Sequence, residues 1–287
     1  MKENPVLAVI GGSGIYQLPS LQKPRQLVIS TPFGNPSSPI TIGELSGKKV
    51  AFLARHGLGH TLLPTEVNNR ANIYALKSIG VSRILGISAC GSLREDFRPG
   101  EIVIPDQLID LTSQRARTFF GDGIVVHISA ADPFCKGLSN LLCEAIKPSN
   151  VILHNGGSYV AIEGPRFSTK AESNLYREWG VSIIGMTACP EAFLAREAEI
   201  CYATMAHVTD YDVWHTGELP VSVEMVVKVL GKNTELAQVA IERLVKSIPN
   251  DNDCNCQNIL KNAIMTQHDK ISDETRKKLG ILVEKYL

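Results

Sequence analysis

The chain of 287 residues lacks an excess of either charge, because 29 Lys and Arg residues balance 29 Asp and Glu residues. A basic surface for nucleic acid and an acidic disordered tail are therefore not expected. No apolar run is long enough to cross a membrane, and the first residues lack the apolar core of a signal peptide. We expect a cytoplasmic protein without nucleic-acid or membrane partners.

The common nucleotide-binding motifs are also missing. The segment Gly11–Gly14 follows an apolar strand, but it carries neither the Gly-Lys-Ser/Thr of a P-loop nor the glycine spacing of a dinucleotide fingerprint. It fits an anion-binding turn and a purely structural turn equally well. The histidines are scattered and suggest no ligand set for a metal ion. We therefore expect neither a metal nor an organic cofactor.

Seven cysteines occur without an export signal, which favours reduced thiols in a reducing compartment. Five of them lie outside the polar stretch that contains Cys254-Asn255-Cys256, several in apolar runs that favour burial. The pair Cys254 and Cys256 fits either a strained disulfide or two ordinary thiols. We favour the thiols, because disulfides over so short a span store strain.

Strand-like and helix-like segments alternate along the chain, which predicts an α/β fold. We expect one domain over residues 1–287, a mixed β-sheet flanked by helices, with a helical tail from about residue 250. Thr65 is expected to cap a helix that begins at Glu66, and Thr169 to cap another. Residues 112–123 have no regular pattern and are expected to form an exposed loop.

Polar side chains follow five of the predicted strands, at the point where each strand ends. Because the carboxyl ends of parallel strands meet at one edge of a sheet, these groups are expected to form a single site. One half of that site suits an anion, with Arg offering a planar fork to phosphate. The other half is acidic. Arg55 as a surface ion pair and His56 as an ordinary loop histidine remain open alternatives. The positions are 13, 55–56, 88–89, 186–187 and 210–212.

The acidic half is Asp210-Tyr211-Asp212, directly after a buried strand. In extended backbone Asp210 and Asp212 share a face and Tyr211 points the other way. Two carboxyls so close are expected to titrate as a pair, with the pKa of one raised. A protonated and an ionised carboxyl complement N7 and N6 of adenine, whereas a 6-oxopurine presents two acceptors there. Two solvated loop acids are the simpler alternative.

Motifs in a characteristic order and spacing resemble the methylthioadenosine phosphorylases, in the trimeric branch of the purine nucleoside phosphorylases. The resemblance covers Val6 to about Val226, and Cys254-Asn255-Cys256 is similar to a pair in some prokaryotic members. The matching segments are Gly11-Gly12-Ser13-Gly14, Thr31-Pro32-Phe33-Gly34, Ala54-Arg55-His56-Gly57, Thr65-Glu66-Val67-Asn68, Ala89-Cys90-Gly91-Ser92-Leu93-Arg94, Glu163-Gly164-Pro165-Arg166-Phe167-Ser168, Gly185-Met186-Thr187 and Thr209-Asp210-Tyr211-Asp212.

The resemblance implies reversible phosphorolysis of methylthioadenosine by a homotrimer, with inorganic phosphate as co-substrate and adenine as a product. Asp210 would be catalytic. The phosphate contacts it implies are Ser13, Arg55, His56, Ser88, Ala89 and Thr187. The implied substrate contacts are Phe167, Ser168, Met186, Asp210, Tyr211, Asp212, Val223 and Val226, with His127 lent by a neighbouring subunit.

One departure concerns Gly185, where animal members of the family carry Asn. Prokaryotic members with Gly there are often less strict about the 5' group, so adenosine is a second expected substrate. Two other functions stay open. A phosphorylase for inosine and guanosine would be expected to carry Asn at position 210. A catalytically inert nucleotide sensor would need no site for a phosphate nucleophile.

Overall fold

The computed structural model describes residues 3–12, 18–216, 223–251 and 254–287, without the side chains of 223, 225–230 and 232. Eleven strands in these ranges form one sheet. The strands are β1 Leu7–Gly11, β2 Gln22–Leu27, β3 Ile40–Leu45, β4 Lys48–Ala54, β5 Arg83–Ser92, β6 Ile102–Ile104, β7 Gln107–Asp110, β8 Leu153–Asn155, β9 Ser158–Ala161, β10 Ile183–Gly185 and β11 Cys201–Asp210.

Six α-helices in the described part of the chain flank this sheet. They are α1 Asn69–Ser78, α2 Lys136–Ile146, α3 Lys170–Glu178, α4 Ala188–Glu197, α5 Val223–Ser247 and α6 Asp273–Leu279, and the tail adds 3-10 helices at Asn255–Asn258, His268–Lys270 and Gly280–Leu282. None of the helices in the described ranges combines the length and apolar character that crossing a membrane requires.

The sheet mixes parallel and antiparallel pairs, as predicted. Its main path runs β2-β3-β4-β1-β5-β10-β9-β7, and β11 pairs with β5 and β6 beside that path. Strands β4, β1, β5 and β11 are mutually parallel neighbours. Their carboxyl ends therefore meet at one edge, and this places the predicted strand exits together.

Alternation along β1 sends its side chains into two different hydrophobic cores, one on each face of the sheet. Ala8 and Ile10 of β1 point into a core that includes residues of α4 and α6. Leu7 and Val9 point the opposite way, into a core with α2 and α5. The sheet is thus covered on both faces, which explains why β1 is apolar throughout rather than alternating.

Helix starts were predicted with mixed success. Thr169 caps α3 in a full capping box with Glu172, as expected. Helix α1, however, begins at Asn69 rather than Glu66, because the side chain of Asn68 accepts the hydrogen bond from the Ala71 backbone. The expected helical tail is helical only in part, since it contains one α-helix, α6, and three short 3-10 helices.

The segment 112–123 is irregular and mostly exposed, as expected, but four of its side chains are buried. Phe119 and Phe120 are buried in the core beside α4. Arg115 is also buried, and its guanidinium binds Glu163 and the backbone oxygens of Met186 and Cys189. A buried arginine without periodicity around it gives no signal in the local pattern, although here it ties two strand exits together.

Candidate active site

A cavity of 640 Å³ opens at the edge where the parallel strands end, a size typical of small-molecule sites. A smaller one of 230 Å³ adjoins it and shares Pro64, Phe167 and Met186. The larger cavity is lined by Gly12, Arg55, His56, His60, Pro64, Ile87, Ser88, Ala89, Cys90, Gly91, Ile162, Phe167, Ser168, Ile184, Gly185, Met186, Thr187, Thr209, Asp210, Asp212, Gly231 and Thr234.

Arg55 lines this cavity but is largely committed to the protein. Its Nε and Nη2 donate to both carboxylate oxygens of Glu191 at 2.8 and 2.9 Å. Nη1 and Nη2 also donate to the backbone oxygens of Ile87 and Ile10. Arginine has five N–H bonds, so one on Nη1 is left for a ligand. Burial lowers the pKa of Arg55, but the Glu191 charge outweighs burial and raises it overall.

Glu191 is fully buried and belongs to α4, which packs behind the site. Tyr202 of β11 donates its hydroxyl to Glu191 at 2.7 Å. Gly86 makes room for this contact, since a Cβ there would lie 2.2 Å from the Tyr202 oxygen. The ion pair therefore has the extra hydrogen bonds that a buried pair requires.

His56 is expected to be neutral in the absence of a ligand. Burial, and then the nearby charge of Arg55, lower its pKa to about 4. Its Nδ1 lies 3.0 Å from the Leu62 carbonyl oxygen, which accepts only, so Nδ1 carries the proton. The neutral ring therefore has an acceptor at Nε2. It can donate to an anion only if the anion's charge favours the imidazolium form.

Three hydroxyls form a triangle at the anion half of the cavity. Ser88 Oγ lies 2.7 Å from Thr187 Oγ1 and 3.1 Å from the Tyr159 hydroxyl. Tyr159 in turn lies 3.3 Å from Thr187. Ser88 and Thr187 were predicted from the sequence, and Tyr159 was not. Each hydroxyl can rotate to donate, so the group can redirect its hydrogen bonds toward an oxyanion.

The Tyr159 hydroxyl leaves no room for a side chain at Gly185. A Cβ at position 185 would lie 2.0 Å from the Tyr159 oxygen, far inside contact distance. The two strands that carry these residues, β9 and β10, are parallel neighbours. The space that a larger side chain at 185 would take is therefore filled by a polar group from β9.

Asp210 and Asp212 both line the cavity, but the backbone between them is not extended as expected. Strand β11 ends at Asp210, and Asp212 has a positive φ of 52° instead of extended backbone. The Asp212 backbone N–H donates to Asp210 Oδ1 at 2.8 Å, which is an Asx-turn. Strand alternation was therefore the wrong reason for their shared direction, since the turn brings both carboxyls to the cavity.

The two carboxyls differ in their partners. Asp210 Oδ2 accepts from the Thr209 hydroxyl at 2.7 Å, so both its oxygens receive hydrogen bonds. Asp212 Oδ2 and Ser168 Oγ are buried without a hydrogen-bond partner among the described residues. Burial raises the pKa of Asp212, and the nearby Ser173 and Ser168 hydroxyls oppose that rise only in part. Unpaired polar atoms in a cavity wall indicate a ligand.

Three of the other predicted residues also line the cavity. Ala89, Phe167 and Met186 do so, with Phe167 partly exposed at 37%. Tyr211 does not, because its ring stacks on His215 and meets Trp214 edge-on, and its hydroxyl donates to the Glu95 backbone oxygen. His127 is exposed and lies outside the lining as well. Ser13 and the side chains of Val223 and Val226 fall outside the described residues.

Glu191, Tyr159 and Arg115 are the site-supporting residues that the sequence did not predict. Each is held by contacts across long separations in the chain, such as the 136 residues between Arg55 and Glu191. Glu191 gave one signal, since an acid in the first turn of an apolar helix needs a partner when the helix is buried.

Comparison with known proteins agrees with this geometry. Residues 6–246 match the phosphorylase superfamily. S-methyl-5'-thioadenosine phosphorylase of Koribacter versatilis is 50% identical over 280 residues, which cover 98% of this chain and 96% of that protein. The enzyme of the same name from Geobacter sulfurreducens is also 50% identical, with 98% and 99% covered.

Solved structures show the same fold. A methylthioadenosine phosphorylase from an Antarctic soil metagenomic library superposes with a TM-score of 0.93 at 48% identity, covering 98% of this chain and 99% of the other. Methylthioadenosine phosphorylase from Schistosoma mansoni, solved in complex with adenine, gives 0.86 at 35% identity, with 93% and 100% covered.

Replacing Asp212 with Asn should change how stability depends on pH. The pKa of Asp212 is higher in the folded protein than in the unfolded chain. The stabilisation from its protonated carboxyl is therefore complete below about pH 4 and is lost as the pH rises through the folded-state pKa. Relative to the wild type, Asp212→Asn should therefore gain stability toward neutral pH, by about 1.4 kcal/mol for each unit of the rise.

Urea unfolding of ligand-free protein from pH 4.5 to 8, at fixed protein concentration, measures the effect. The exposed Asp132→Asn controls for the loss of one charge and should run parallel to the wild type. If Asp212→Asn also runs parallel, the proposed burial cost at Asp212 is wrong.

Proposed function

The chain belongs to the phosphorylase superfamily, and we propose that it catalyses reversible phosphorolysis of S-methyl-5'-thioadenosine to adenine and S-methyl-5-thio-α-D-ribose 1-phosphate. One observation carries the proposal. A single cavity holds the acidic pair Asp210 and Asp212 at one part of its wall and the hydroxyls of Ser88 and Thr187 beside Arg55 at another. The enzyme would thus be a pentosyltransferase in purine and methionine salvage, with phosphate as its only co-substrate.

The acidic end suits adenine. N7 accepts a hydrogen bond and the N6 amino group donates one, so one carboxyl must carry a proton and the other must not. We assign Asp210 to N7 and Asp212 to N6, as the resemblance implies, and the unpaired Oδ2 of Asp212 then gains a donor. Without the base, burial raises the pKa of Asp212 rather than that of Asp210. The N6 amino group would reverse this order by favouring ionised Asp212, whose charge then favours the protonated form of Asp210. Hydrogen bonding or protonation at N7 makes adenine a better leaving group. A 6-oxopurine would place an acceptor against an ionised carboxylate.

The hydroxyl end suits phosphate. Ser88 and Thr187 can each turn a hydroxyl toward an oxyanion, and Arg55 keeps one N–H for it. A bound dianion would also raise the pKa of His56 and make Nε2 a donor. Held there, phosphate attacks the ribosyl carbon as the bond to adenine breaks, and its charge stabilises the oxocarbenium-like centre.

We also propose a cytoplasmic homotrimer. The seven cysteines are free thiols, which agrees with a reducing compartment. The segment that contains exposed His127 pairs with residues 263–265, and Val125 and Met265 on these two segments are 51% and 67% exposed. The role of His127 as a residue lent to a neighbouring subunit rests on the family resemblance. The apolar 5' pocket at Val223 and Val226 and the use of adenosine remain predictions.

A substrate panel tests the reaction. The purified protein is mixed with methylthioadenosine, adenosine or inosine, with and without phosphate, and base release is followed. We expect phosphate-dependent adenine release from methylthioadenosine, slower or comparable release from adenosine, and little hypoxanthine. Preferential hypoxanthine release would favour the 6-oxopurine enzyme, and binding without turnover would favour the sensor.

Asp210→Asn should lower kcat by roughly 10²–10⁴-fold, the usual value of acid–base assistance. Asp212→Asn is the matched comparison, since it changes the neighbouring carboxyl in the same way. It should mainly reduce the preference for adenine nucleosides over 6-oxo nucleosides. Steady-state kinetics of both variants decide the roles. Loss of kcat in Asp212→Asn alone would assign the transferred proton to Asp212.

Tyr159→Phe should weaken phosphate binding while leaving kcat at saturating phosphate nearly unchanged. The lost hydroxyl holds Ser88 and Thr187 in place, and one hydrogen bond contributes about 0.5–1.5 kcal/mol, or roughly 2- to 10-fold in KM for phosphate. Tyr286→Phe is the control, because its hydroxyl binds Glu199 away from the cavity. Equal phosphate KM values for Tyr159→Phe and the wild type would exclude this role for Tyr159.

A further inference from the structure

Four cysteines from distant parts of the chain converge outside the cavity. The Sγ atoms of Cys135, Cys201, Cys254 and Cys256 all lie within 4.8 Å of one another. Cys135 precedes α2, Cys201 begins β11, and Cys254 and Cys256 belong to the segment that follows α5. Ordinary core packing can explain a contact between two thiols, but it gives no reason for four thiols to meet at one point.

The spacing of the sulfurs suits a tetrahedral ion. Zinc–thiolate bonds of about 2.3 Å place the four sulfurs about 3.8 Å apart. The Cys135 and Cys254 sulfurs are 3.6 Å apart, and all four residues are free thiols. Small rotations of side chains would therefore complete a tetrahedron. Cys-x-Cys with two further cysteines also supplies the four ligands of a closed structural site.

Arg83 provides an electrostatic reason for negative charge at this point. It is 4% exposed and lies opposite Cys201 in the β5–β11 pairing. Its guanidinium donates to the backbone oxygens of Val6 and Asp251, and it forms no ion pair with a carboxylate among the described residues. The Asp251 carboxylate acts on it only from a distance. A buried cation with so little compensating charge is costly. Thiolates beside it would supply the missing counter-charge.

We propose that Cys135, Cys201, Cys254 and Cys256 bind one Zn²⁺ as a structural tetrathiolate site. Four thiolate ligands of this softness favour zinc over magnesium or calcium. Binding releases four protons and requires no oxidant. The complex carries a net charge of −2, which Arg83 partly offsets. The ion would fasten the segment after α5 to α2 and to the first residue of β11, the strand that ends at Asp210.

Metal analysis of the full chain tests the proposal independently of activity. Untagged protein, purified under reducing conditions without chelator, should contain about one zinc per chain by plasma mass spectrometry. Cys256→Ser should lose most of the zinc and melt several degrees lower. Cys143→Ser is the matched control, because Cys143 is a buried free thiol on α2 outside the cluster, and it should retain the zinc.

A spectroscopic measurement keeps the test valid if Cys256→Ser fails to fold. Wild-type protein stripped of metal and given Co²⁺ should develop the intense thiolate charge-transfer absorption and tetrahedral d–d bands of a four-sulfur site. Wild-type protein that contains no zinc and shows no such bands would overturn the proposal. So would non-reducing mass spectrometry that finds disulfides among the four cysteines, or equal zinc loss in Cys143→Ser and Cys256→Ser.

Discussion

The buried ion pair between Arg55 and Glu191 is the constraint on which the site depends. Arg55 follows β4 and also binds the backbone at Ile10 of β1 and Ile87 of β5, while Glu191 is fixed on α4. One guanidinium thus sets the relative positions of three strand ends and a helix. Removing either partner leaves an uncompensated buried charge, which typically costs about 3–5 kcal/mol. Four hydrogen bonds therefore orient the Arg55 guanidinium, and they set the direction of its remaining N–H.

The two halves of the cavity differ in how many of their polar groups have a hydrogen-bond partner. The hydroxyls of Ser88, Thr187 and Tyr159 bind one another, so the anion half has few unmet hydrogen bonds. At the acidic half, Asp212 Oδ2 and Ser168 Oγ have no partner in the described ranges. Burying such atoms costs free energy that a complementary ligand can recover. Specificity for the base thus depends on buried polar atoms that the described residues do not pair.

The sequence allowed much of this site to be predicted, because parallel strands end at one edge and mark that edge with polar residues. Arg55, His56, Ser88, Thr187, Asp210 and Asp212 were found in this way, and all line the cavity. The turn at Asp212 was not foreseen, since alternation assumes that the strand continues. Partners such as Glu191 and Tyr159 were missed because they depend on pairing across more than 70 residues. The cysteine cluster was missed for the same reason, and local polarity around Cys254 gave no hint of Cys135 or Cys201.

The contact between Gly185 and Tyr159 bears on how related sites should be compared. In a sequence alignment with members that carry Asn at this position, Gly185 looks like the loss of a polar side chain next to the substrate. In three dimensions the hydroxyl of Tyr159, delivered from the adjacent strand, occupies that volume. Positions 159 and 185 therefore form one steric unit that is free to vary only jointly. Grafting a larger residue onto 185 without reducing 159 would force two side chains into one space, so residue swaps between such enzymes need to move in pairs.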